Sequence, residues 1–138
     1  MTQNPASLKC PFRNTLITRD YGCEFASEVT HRDGPGIVCG NEAAHQRCQE
    51  IFNSLKLAAL PVLEVIDDLT QMPASVISKI QYGGLQGLAA MIDQQTESID
   101  NINGLLKAVL EHYQALDAID FNRAAVAIQD YRLRKRRR

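Results

Sequence analysis

The sequence predicts an all-α chain, a small helical bundle with a loop-rich four-cysteine module at its N-terminus. Three observations predict it. Apolar residues recur at three- and four-residue steps through most of residues 42–131, the spacing of one helix face. No period-two alternation, the mark of a half-buried strand, lasts more than a few residues. All four cysteines, Cys10, Cys23, Cys39 and Cys48, fall in the first third of the chain, with His31 and His45 among them.

In chain order, residues 1–9 are polar and aperiodic, an arm. Cys10-Pro11 sets a non-helical turn, because proline restrains its own φ and disfavours the helical region for the residue before it. Residues 13–19 read as an extended connector. Asp20 caps a short helix through Cys23, Phe25, Ala26 and Val29, and Arg32-Asp33-Gly34-Pro35-Gly36 breaks any regular structure. Ile37, Val38 and Cys39 lead to Gly40 or Asn41, which starts a helix from Glu42 to about Leu60. Pro61 kinks or ends that helix. The adjacent Asp67 and Asp68 point about 100° apart on a helix and read as a solvated end rather than paired acids.

Thr70 or Gln71 begins the next helix, with Pro73 in its first turn, where a missing N–H costs nothing. Val76, Ile77, Ile80, Leu85, Leu88, Met91 and Ile92 form its stripe. Gly83, Gly84 and Gly87 interrupt it, each weakening a helix by about 1 kcal/mol relative to alanine, so they imply a kink or close approach of another backbone. Ser98 caps the cleanest stripe, from Ile99 and Ile102 to Tyr113. Asp117 or Asp120 caps a last helix from Phe121 through Ile128 and Tyr131, which continues into a basic tail.

A chain of 138 residues fits a single domain, 1–138: a cysteine module at 10–48, a helical body at 42–131 and the tail at 132–138. With no Trp, four Phe and four Tyr, its core must come mostly from Leu, Ile, Val and Ala. Neither a secretory signal nor an apolar window of the roughly 20 residues that span a bilayer is legible, so the expected location is cytoplasmic. Thiols there favour metal or redox chemistry over disulfides. The overall charge is −1, yet Arg132, Arg134, Lys135, Arg136, Arg137 and Arg138 are all basic. Removing those six leaves −7 on residues 1–131. An acidic body argues against nucleic-acid binding and leaves body and tail as contacts for a protein partner.

The cysteines are spaced C-x12-C-x15-C-x8-C. Structural zinc sites bring thiolates in close pairs, C-x2–4-C, and none is present. His45 and Cys48, one helical turn apart, keep mixed Cys/His zinc binding open, with His31 a further alternate ligand. A [4Fe–4S] cluster takes four thiolates that need not be neighbours in sequence. Gly22 before Cys23 and Gly40 after Cys39 would let backbone N–H groups approach sulfur, which tunes such a cluster. Disulfides and plain buried thiols are the remaining readings.

The stretch Thr18-Arg-Asp-Tyr-Gly-Cys-Glu-Phe-Ala-Ser-Glu-Val-Thr-His-Arg-Asp-Gly-Pro, with Asp68-Leu-Thr-Gln-Met-Pro later, resembles small proteobacterial four-cysteine proteins. The resemblance implies an iron–sulfur protein and carries no activity with it.

No Ser/His/Asp pattern, P-loop or dinucleotide fingerprint is legible, and His112 reads as a rim residue. Two functions follow. One is a small iron–sulfur protein, bound by Cys10, Cys23, Cys39 and Cys48, that transfers electrons or serves as accessory subunit of a larger redox enzyme. The other is an interaction or regulatory module fixed by zinc or disulfides, with a redox sensor between them. An autonomous enzyme ranks last, since nothing supplies acid, base and pocket together.

Overall fold

The computed structural model describes residues 8–31, 34–63, 74–94 and 99–131. Within them the chain is mostly helical, with one small sheet. The elements run α1 (Arg13–Ile17), β1 (Ala26–His31), β2 (Gly34–Cys39), α2 (Glu42–Val62), α3 (Ala74–Met91), α4 (Ile102–Tyr113), a 3-10 turn (Leu116–Ala118) and α5 (Phe121–Asp130).

The body is a packing of α2, α3, α4 and α5, in which α5 lies against both α2 and α3. Each helix is placed by a legible stripe. Ile51, Leu55 and Ala59 of α2, Ile80, Leu85 and Leu88 of α3, Ile102, Leu106 and Val109 of α4, and Ala124 and Ile128 of α5 are all almost fully buried. Phe12, Leu16 and Tyr21 from the N-terminal third join the same core. Much of the cysteine module therefore shares the bundle's apolar interior, while Leu8, Cys39 and Ala44 form a second, smaller cluster. Two caps match their chemistry: the Asn41 side chain accepts from the Ala44 N–H at 2.9 Å, and Asp120 accepts from the Arg123 N–H at 3.3 Å.

The glycines of α3 explain how α5 comes so close. A methyl group at Gly83 would lie 2.8 Å from the Cα of Ile128, and one at Gly87 would lie 2.8 Å from the Cβ of Ala127. The bare face of α3 thus admits the α5 backbone itself.

The N-terminal third departs from the all-α expectation. Residues 26–31 form a strand where a helix was expected, and Gly34, Pro35 and Gly36 belong to its antiparallel partner rather than to a break. The register pairs Ala26 with Cys39 and His31 with Gly34. Val29 and Thr30 carry β-branched side chains that favour extended backbone, and a two-stranded sheet is all edge, where proline is tolerated. The arm is likewise not free at its end. Leu8 is buried, Lys9 bridges to Val38, and the Cys39 N–H donates to the Leu8 carbonyl at 2.8 Å. Residues 13–17, expected to be extended, make one helical turn and a half, held to α3 by the Asn14 N–H donating to Gln81 Oε1 at 2.9 Å and Asn14 Nδ2 donating to Ser78 Oγ at 2.7 Å.

Other boundaries shift. Helix α2 continues through Pro61 to Val62, so proline sits in its last turn without ending it. Helix α4 begins at Ile102 behind Asn101, leaving Ile99 buried but outside the helix. Helix α5 ends at Asp130. Asp67, Asp68, Thr70, Gln71, Pro73, Ser98 and the basic tail lie outside the described residues.

Tyr82 links α3 to the segment that precedes Cys23. Its hydroxyl donates to Asp20 Oδ2 at 2.8 Å and meets Thr18 Oγ1 at 2.5 Å, while its ring packs edge-on against Tyr21 and stacks on Tyr131. Tyr82→Phe keeps the packing and removes both hydroxyl contacts, so it is expected to cost about 1 kcal/mol. The denaturation midpoint measures this, and an unchanged midpoint would refute the role.

Candidate metal centre

Each cysteine is delivered by a different element. Cys10 lies in the turn before α1, where its N–H donates to the Ile37 carbonyl at 3.0 Å. Cys23 follows Gly22, whose N–H donates to the Ile99 carbonyl at 2.9 Å and whose carbonyl accepts from the Ile102 N–H at 2.8 Å. A methyl group at Gly22 would sit 2.7 Å from the Asp100 carbonyl oxygen. Only glycine therefore lets this strand of chain lie against the start of α4 and set Cys23 there. Cys39 ends β2, and Cys48 sits on the buried face of α2, one turn beyond Ala44.

The four converge. Cys10, Cys23, Cys39 and Cys48 line one cavity of about 10 Å³, together with Pro11, Ala26, Val38, Ala44, His45, Ile102 and Asn103. That is about the room one water molecule needs. All four are free thiols. Cys39 and Cys48 are buried, and Cys10 and Cys23 are half-buried, so the site has an inner and an outer pair.

Electrostatics mark the convergence as well. The Cys48 thiol is pushed up to about 12, first by burial and then by the proximity of Cys10, Cys23 and Cys39. Burial likewise pushes Cys10 up to about 12, opposed by a hydrogen bond from the Phe12 backbone and reinforced by Cys23 and Cys39. Charging one sulfur works against charging the others, as expected of acids sharing one desolvated site. Cys10 and Cys48 are thus neutral at ordinary pH, and a cation bound through them would have to displace their protons.

Among the described residues, no three His, Cys, Asp or Glu side chains are grouped closely enough to hold a single metal ion. A tetrahedral ion draws each sulfur to about 2.3 Å, whereas these thiols surround a space that admits a water. The two observations agree: four soft donors line the cavity without closing on a point. The donor set has the number and softness a thiolate-bound cluster takes, while the space between the sulfurs has room for about one water.

His45 lines the same cavity, with Nε2 placed 2.9 Å from the Lys9 carbonyl. That contact holds the arm to α2 and engages one ring nitrogen. His31 closes β1, but its side chain lies outside the described residues. The glycine expectation is corrected. The Gly22 N–H goes to Ile99 and the Gly40 N–H to the Phe25 carbonyl at 2.8 Å, so neither is directed to sulfur. Phe12 supplies the backbone hydrogen bond to a thiol instead.

A polar layer under the cavity was not legible in the sequence. Asn103 on α4 is buried, lines the cavity and donates through Nδ2 to Glu24 Oε2 at 2.7 Å. Its Oδ1 accepts from Arg47 Nη2. Asn101 Nδ2 donates to the same carboxylate oxygen at 3.1 Å, while Asn101 Oδ1 accepts from the Glu24 N–H at 3.2 Å. These hydrogen bonds, from Asn103 first and Asn101 second, hold the exposed Glu24 carboxyl below its ordinary range. The one available signal was asparagine at the inward position 103 of an otherwise apolar stripe.

No protein-family model, curated protein or solved structure matches the chain. Among the described residues, no helix is long and apolar enough to cross a membrane.

Proposed function

We propose that this is a small iron–sulfur protein holding one [4Fe–4S] cluster on Cys10, Cys23, Cys39 and Cys48. It would act in electron transfer or as an accessory subunit of a larger redox enzyme, with a protein partner met by the acidic body or the basic tail. The observation that carries the reading is the convergence of four thiols, from four separate elements, on one small apolar cavity. When bound, such a cluster takes up and gives back an electron. The chain supplies what surrounds that event. Val38, Ala44 and Ile102 exclude water, the Phe12 backbone supports Cys10, and the half-buried Cys10 and Cys23 form the side nearest solvent.

Anaerobic purification followed by iron and sulfide analysis tests it. The expected result is a brown protein with about four irons per chain and a broad visible absorbance that bleaches on reduction. A colourless protein that takes up no iron on reconstitution overturns it. His45 beside Cys48 in the cavity favours one second reading, a zinc-stabilised interaction or regulatory module, which equimolar zinc after native purification would establish.

A further inference from the structure

We infer that Cys23 and Cys10 are an oxidisable pair, in which Cys23 takes up a small-molecule disulfide from solvent and Cys10 resolves it into an internal Cys10–Cys23 disulfide. The inference concerns the metal-free chain and stands whether or not the iron–sulfur reading does. Two observations carry it. Four free thiols line a space of about 10 Å³, room for about one water, so little separates one sulfur from the next. Cys23 also lines a second, open cleft of about 220 Å³ beside α1 and the sheet, with Leu16, Arg19, Ala26, Glu28 and Ile37. Among the described residues no other cysteine lines that cleft. Cys23 is therefore the thiol that a solute reaches first, and it borders the shared cavity as well.

The choice of partner follows from the elements. A disulfide draws its sulfurs to about 2.0 Å at a narrow torsion, so at least one backbone must adjust. Cys48 is buried on α2. Cys39 is buried at the end of β2, with its S–H donating to the Asn41 carbonyl at 3.2 Å. Regular structure holds both. Cys10 and Cys23 are half-buried and lie outside helices and strands, where a chain yields most easily. The Cys23 thiolate attacks one sulfur of the incoming disulfide and expels one small thiol. The Cys10 thiolate then attacks the Cys23 sulfur of the mixed disulfide and expels the second. The two protein thiols give up two electrons, the small disulfide is reduced to two thiols, and the two protein protons leave on them.

The test uses the full chain, stripped of metal with a chelator, reduced, desalted and incubated with glutathione disulfide, as wild type, Cys10→Ser and Cys23→Ser. Remaining thiols are alkylated and the chain is digested with trypsin. Cuts after Lys9, Arg13, Arg19, Arg32, Arg47 and Lys56 leave each cysteine on its own peptide, 10–13, 20–32, 33–47 or 48–56, so mass spectrometry reads the pairing directly. Wild type is expected to lose two of its four free thiols and to join 10–13 to 20–32. Cys10→Ser is expected to stop with glutathione on 20–32, and Cys23→Ser to lose thiols about tenfold more slowly than wild type. Four alkylated cysteines in wild type, or a link to 33–47 or 48–56, overturns the inference. So does an unmodified 20–32 in Cys10→Ser, or a wild-type rate in Cys23→Ser. Should a variant not fold, the wild-type peptide map decides alone. Iron content after native purification is a separate measurement, so the iron–sulfur reading stands or falls on its own.

Discussion

Valine in place of Gly83 is expected to be among the most destabilising single changes in this chain, at about 3 kcal/mol or more. Even a methyl group there would lie 2.8 Å from the Ile128 Cα and 3.0 Å from the Tyr131 Cβ. Both are anchored to the α5 backbone, so relief requires the helix to move, and a helix shift disturbs a close-packed core. Overpacking of this kind typically costs 1–3 kcal/mol, roughly, and sometimes more, and valine adds a second crowded branch. Against a total stability of about 5–15 kcal/mol, the loss is plain in a urea midpoint. Gly84 provides the internal comparison. A methyl group there meets the tip of the Leu55 side chain, also at 2.8 Å, and a side-chain tip turns aside more easily than a backbone. Gly84→Ala is therefore expected to be milder than Gly83→Ala, where the helix-propensity gain of about 1 kcal/mol is outweighed. A Gly83→Val midpoint equal to wild type would remove the close α3–α5 contact as a source of stability.

The metal-free protein is expected to lose stability steeply as pH rises from about 9 to about 12. Cys10 and Cys48 are each raised from an ordinary 9.0 to about 12, foremost by burial. Below pH 9 both folded and unfolded chains keep these protons, and the contribution is fully present. Between 9 and 12 the unfolded chain gives them up while the folded chain retains them. The native state then binds more protons, and stability falls as pH increases. Each pKa unit corresponds to about 1.4 kcal/mol, so two thiols shifted together make a loss on the order of several kcal/mol. Tyr82, raised to about 12 by burial, acts in the same direction. Urea midpoints of metal-free protein at pH 8, 9.5 and 11 measure the fall. Cys10→Ser/Cys48→Ser should flatten it, because serine carries no proton to lose in that range. An equally steep fall in the double variant would assign the loss to other groups.

The helical body was legible because burial and helical periodicity agree there. Val109 and Leu106 are inward wherever the stripe placed them inward, and the glycines of α3 reported a close contact without naming the partner. The N-terminal third was less so. Residues 20–29 carry apolar groups at three-residue steps that suit a helix, yet Val29 and Thr30 pair with residues 35 and 36. Such pairing depends on the partner strand, which local pattern does not contain. Clustering in sequence identified Cys10, Cys23, Cys39 and Cys48 as a group. It could not identify Asn103, which joins them across 55 residues, because buried polar partners are chosen by tertiary geometry.

That distance in sequence has a consequence for how the protein is made. The four thiols lie within residues 10–48, but Ile102 and Asn103, which complete the lining of their cavity, come from α4. Helix α5, which closes the core against α2 and α3, comes later still. The core behind the cysteine-lined cavity is therefore complete only once α5 has packed on α2 and α3.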